Sequence, residues 1–179
     1  MNCWKKAGPR RWLLTIDLMR FMQHVNVRLY WEGSWDVTDR QLPESLPNTP
    51  GIYMIVAERI TPNQLSFIDD ESNLRLVYIG ETEHLRKSLN ESKRWGDWEK
   101  YGKGYRLLLK VAKTDRVECR RKIASLLTFQ NKPACNTRYN NVALITCLQL
   151  NLSHSGCCQP LKNASPAPVW IEPQIMEMA

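Results

Sequence analysis

The sequence predicts an α/β protein of the α+β type, with a small central antiparallel β-sheet flanked by helices and extra segments at both ends. Two runs, Gly51 to Ile60 and Leu74 to Ile79, are rich in β-branched and aromatic residues and are separated by polar turn chemistry, Thr61-Pro62-Asn63 and Asp69 to Asn73. They predict an antiparallel hairpin with a long tip. Arg106 to Ala112 is a short apolar run suited to a buried strand. Glu83 to Lys93 and Arg116 to Gln130 carry apolar residues at helical spacing, so the order is strand, strand, helix, strand, helix.

Before the hairpin, Arg11 to Asp36 mixes two periods: Leu14, Ile16 and Leu18 alternate, whereas Leu18, Met22 and Val25 suit a helix, and the choice stays open. Val25 to Trp31 alternates with β-branched and aromatic residues and predicts a strand ending at Gly33. Pro43, Pro47 and Pro50 punctuate a loop into the hairpin. In the first helix Leu85 and Leu89 share a face, with Thr82 as candidate N-cap. Trp95 to Trp98 and Tyr101 to Tyr105 contain glycines and predict an aromatic loop. Asp115 is placed to cap the second helix, whose Ile123, Leu126, Leu127 and Phe129 are expected to face the sheet, and Lys132-Pro133 ends it. A further strand is expected within Val142 to Leu152, then a proline-containing arm. The division is an N-terminal extension over 1–46, a central domain over 47–138 and a C-terminal strand and tail over 139–179.

At 179 residues the chain is long enough for one packed domain, and 43% hydrophobic with 24% charged residues is an ordinary globular composition. The net charge of +7 favours an acidic polymer or surface as partner. Between Glu81 and Lys132 there are 14 Lys/Arg against 7 Asp/Glu, so the middle of the chain carries the entire surplus. Solvated helix faces would give the same run; nucleic acid is the partner that charge favours. The six cysteines form no CxxC pair and the three histidines are widely spaced, which argues against a zinc site. The N-terminus lacks the apolar stretch of a signal peptide and no run approaches a membrane span, so a cytoplasmic chain with free thiols is expected.

Gly51-Ile52-Tyr53, Tyr78-Ile79-Gly80 and the closing Pro133-Ala134-Cys135-Asn136 resemble the signatures of the GIY-YIG endonuclease family, and the match covers about Pro47 to Arg138, roughly half the chain. The resemblance implies the GIY-YIG nuclease fold and phosphodiester hydrolysis on DNA, in restriction or repair, with a divalent ion, Mg²⁺ or Mn²⁺. In that chemistry a phenol activates or orients water, an arginine offsets charge on the phosphorane and a carboxylate holds the cation. Tyr53 and Tyr78 match the tyrosines, expected on one sheet face, and Asn136 matches the supporting asparagine.

Two positions depart from the family. Its arginine lies ten residues after the second-signature tyrosine, which here is Ser88; Arg86 and Lys87 point elsewhere on the helix. Its metal-binding glutamate lies about twelve residues before the closing asparagine, which here is Ala124. Glu118 lies on another side of that helix. Cleavage is therefore expected to be absent or weak, with Mg²⁺ or Mn²⁺ relevant only if activity remains. Binding needs no carboxylate: Lys87, Lys93, Arg94, Lys100, Lys103, Arg120, Arg121 and Lys122 are candidate phosphate contacts on duplex DNA. Trp95, Trp98, Tyr101 and Tyr105 are candidates either for base and sugar contacts or for packing beneath their loop. Three functions remain open: an endonuclease, a catalytically dead DNA-binding relative, and an interaction module whose C-terminal segment binds a partner or a second copy of the chain.

Overall fold

The computed structural model describes residues 23–60, 73–114, 117–138 and 148–161. The hairpin tip, the Asp115 cap, most of the mixed-period N-terminal segment, residues 142–147 of the expected last strand and the proline arm beyond Leu161 lie outside the described residues. Five strands, β1 (Gln23–Asp36), β2 (Gly51–Arg59), β3 (Leu74–Thr82), β4 (Tyr105–Lys113) and β5 (Leu148–Gly156), form one sheet in the order β3-β2-β4-β1-β5. Among the described residues three helices, α1 (Leu85–Asn90), α2 (Trp95–Tyr101) and α3 (Val117–Asn131), complete the α+β arrangement.

The central strands pair antiparallel as expected, and the C-terminal strand adds one parallel pair. β2 pairs antiparallel with β3 and β4, and β4 with β1, but β5 runs parallel to β1. Parallel neighbours need a long connection, and here residues 37–147 lie between the two strands. The flanking segments thus extend the sheet of the central motif. β1 also runs past Gly33 instead of ending there: pairing with β4 shifts between Glu32 and Trp35, and Gly33 takes a φ of +84°, where an added Cβ would collide with the Trp35 ring.

Both faces of β2 are covered, which is why Gly51 through Ala57 are all buried. On one face Ile52, Met54, Ile79, Leu108 and Trp31 pack with Ile123 and Leu127 of α3. On the other, Tyr53, Ile55, Val77, Leu107 and Leu109 pack with Leu85 and Leu89 of α1 and Trp95 and Trp98 of α2. On α3, Leu126 packs at the margin of its core and Phe129 is only half-buried, so the apolar stripe is narrower than the pattern predicted.

Helix α2 replaces the predicted loop at Trp95-Gly96-Asp97-Trp98. Two tryptophans three residues apart share a helical face and bury edge to face with centroids 4.8 Å apart, and that burial outweighs the helix-weakening Gly96. Trp95 Nε1 donates to the Leu89 carbonyl at 2.8 Å, satisfying an acceptor at the end of α1. Thr82 is not the cap of α1, which starts later, with His84 at the N-cap position. Its hydroxyl instead accepts from the His84 backbone N–H at 3.1 Å and shares a 2.5 Å hydrogen bond with Ser88 Oγ. Arg86 donates to the Leu46 carbonyl at 3.0 Å and pins the proline loop.

At the far side of the sheet, Trp31 Nε1 donates to His154 Nδ1 at 3.4 Å, while the buried Nε2 has no partner. Burial pushes the His154 imidazole below its ordinary value of 6.5. The folded state then binds fewer protons than the unfolded chain between the two values, so stability is full above about pH 6.5 and falls as the solution is acidified through that window. Melting curves between about pH 7.5 and pH 5 should show this loss, flattened in His154→Gln. An identical loss in the variant would assign it to other groups.

Candidate functional site

The two signature tyrosines come together through strand register. Tyr53 pairs with Gly80 and Ile55 with Tyr78, so Tyr53 and Tyr78 occupy diagonal positions on one face of the β2–β3 pair. Their ring centroids are 5.9 Å apart. Gly80 is required by this approach, because an added Cβ would collide with Cζ, Cε1 and Oη of Tyr53. Trp98 closes the cluster, 6.3 Å from Tyr53 and 5.3 Å from Tyr78. Burial, and then the neighbouring Tyr78 hydroxyl, push the Tyr53 phenol far above its ordinary range. Tyr53 is thus a protonated phenol packed between Tyr78 and Trp98. Tyr78 is less buried and lines a cleft.

That cleft, of about 210 Å³, lies at the outer strand β3 and is bordered by Tyr78, Gly80, Glu81, Arg94, Arg121, Ala124, Thr128, Asn136 and Arg138. Asn136 forms its wall by standing in for a neighbouring strand: Oδ1 accepts from Ile79 N at 2.9 Å and Nδ2 donates to Ile79 O at 2.8 Å. Backbone bonds from Cys135 N to Val77 O at 2.8 Å and from Ala134 N to Leu76 O at 3.3 Å continue the cover. The asparagine is thus a positioning residue for the strand that carries Tyr78.

Ser88 does not reach the cleft; it is held against Thr82. A cation arrives by another route, since Arg94, at the N-cap of α2, lies 5.3 Å above the Tyr78 ring. On α3 Ala124 borders the cleft with a methyl group and is 7% exposed. Of the other candidate cations, Lys87, Lys93, Lys100, Lys103 and Arg121 are exposed and Lys122 is half-buried. Arg120 is 3% exposed and donates to Glu81 at 2.8 Å, so it is an internal counter-ion rather than a surface contact. Trp95 and Trp98 are buried in the core, whereas Tyr101 is exposed and Tyr105 half-buried.

Comparison with protein-family models, curated proteins and solved structures finds no match to this chain. What the cleft can do rests on its own chemistry.

Among the described residues the one carboxylate that borders it is Glu81, which directly follows Tyr78-Ile79-Gly80 and which no sequence motif singles out. Glu81 is bound by Arg120 and lies 3.9 Å from Arg121. A hard divalent cation takes several oxygen donors, commonly carboxylates, and no group of three or more His, Cys, Asp or Glu side chains is clustered among the described residues. With Ala124 contributing no oxygen and Glu81 engaged by arginine, the donor set does not fit Mg²⁺ or Mn²⁺. It fits an anion: Arg94, Arg121 and Arg138 border the cleft against that single engaged carboxylate.

Proposed function

We propose that the chain is a GIY-YIG-type nuclease relative that binds duplex DNA at the β3-edge cleft and is impaired in cleavage. The observation that carries the reading is the cleft itself. Tyr78 and Asn136 line it, Tyr53 packs behind Tyr78, Arg94 supplies a cation over the Tyr78 ring, and Ala124, at the position where the resemblance implies a metal-binding glutamate, contributes only a methyl group. Electrostatics favour phosphate, since the exposed Lys87, Lys93, Lys100 and Lys103 can extend contact beyond the cleft arginines along a backbone. Among the described residues no helix is long and apolar enough to cross a membrane. Within this reading the chain works on DNA in the cytoplasm.

Titration of a labelled duplex tests the reading. If Lys87, Lys93, Lys100 and Lys103 each meet a phosphate and Arg94 and Arg121 meet a further one, affinity should fall roughly 500-fold between about 50 and 200 mM salt. Salt-insensitive retention, or none at low salt, contradicts it.

A further inference from the structure

We propose that the β3-edge cleft is a metal-independent phosphate clamp, in which Arg94 and Arg121 grip one phosphate group from opposite sides of the edge strand. Arg94 comes from the α2 side, held over Tyr78 at 5.3 Å, and among the described residues no carboxylate pairs with it. A guanidinium over an aromatic face keeps its planar fork of donors for an anion. Arg121 comes from α3 with a side chain 71% exposed and only a 3.9 Å approach to Glu81, a contact that a phosphate oxygen readily replaces.

Glu81 does not oppose the anion as a bare charge would. Its carboxylate is engaged by Arg120, whose side chain is 4% exposed and also lies 3.6 Å from the exposed Glu83. Among the described residues the α3 side of the cleft carries Arg121, Ala124 and Thr128 and no carboxylate, so the lining presents net positive charge and room for a phosphate ester. A divalent cation would face the same arginines with no free carboxylate to hold it. Mg²⁺ should therefore act on binding only through ionic strength. That the phosphate belongs to duplex DNA rests on the function proposed above; the clamp chemistry does not.

The test is duplex binding by fluorescence anisotropy in EDTA and in Mg²⁺ at matched ionic strength, for the full chain and for Arg94→Ala, Arg121→Ala and Arg28→Ala. Arg28 lies on β1, three strands from β3, and controls for loss of one positive charge. Equal affinity in the two buffers is expected, with a loss of about tenfold in each cleft variant and about twofold or less in the control. In parallel, inorganic phosphate is titrated in EDTA against arginine Nε–H resonances, and saturable shifts are expected that Arg94→Ala abolishes. Duplex binding that requires Mg²⁺ would overturn metal independence, and cleft variants that behave like Arg28→Ala would overturn the clamp. Phosphate binding that depends on Arg94 and Arg121 without any duplex binding would support the clamp and overturn the DNA reading.

Discussion

If the chain is the impaired nuclease relative proposed above, Ala124→Glu should make it nick plasmid DNA. The new carboxylate would enter from α3 at a position that borders the cleft with Tyr78 and Arg94, and it would supply the oxygen ligand that a divalent cation lacks. Position 124 is nearly buried, but Arg120 and Arg121 precede it by one helical turn and offset the charge. A ligand of this kind contributes several kcal/mol at the transition state, so plasmid nicking in Mg²⁺ or Mn²⁺ should rise on the order of 10²-fold or more over the unaltered chain. Because Arg94 already lies over Tyr78, adding Ser88→Arg should bring little further gain, whereas adding Arg94→Ala should remove the gain. A folded, DNA-binding Ala124→Glu chain that stays silent would mean that more than a carboxylate is missing.

Asn136→Ala should have the largest effect on stability. The substitution strips both partners from the backbone N–H and C=O of Ile79, on a strand edge that the 134–136 segment covers. Two buried groups left unsatisfied cost roughly 3 kcal/mol together, which for a chain of this size lowers Tm by about 6–12 °C. Asn136→Asp keeps an acceptor for the Ile79 N–H but sets a carboxylate against the Ile79 carbonyl, so it should not rescue. Thermal melts check both variants. An unchanged Tm in Asn136→Ala would return the asparagine to a purely chemical role.

The contrast between these two positions shows what the sequence could express. Strand patterns around Gly51 and Gly80 located the hairpin, and its register does place Tyr53 and Tyr78 on one face as the motif required. The methyl at 124 was legible by counting, because α3 keeps a regular helical period through Ile123 and Leu127. Arg94 was legible only as one more surface cation. Its place over Tyr78 depends on α2, which Gly96 disguised as a loop until the mutual burial of Trp95 and Trp98 formed it. Arg120 was misread for the opposite reason: charge patterns do not reveal a partner across the chain, and Glu81 lies 39 residues away. The direction of β5 was hidden as well, since a strand's alternation is the same whichever way its neighbour runs.

The most direct measurement is a plasmid assay on the unaltered chain with Mg²⁺ or Mn²⁺, read on one gel for both retardation and nicking. A cleft with arginines and no free carboxylate should retard the plasmid and leave it supercoiled. Robust metal-dependent nicking would contradict the claim that the site binds phosphate without cutting, and absence of retardation at low salt would contradict the claim that it binds DNA.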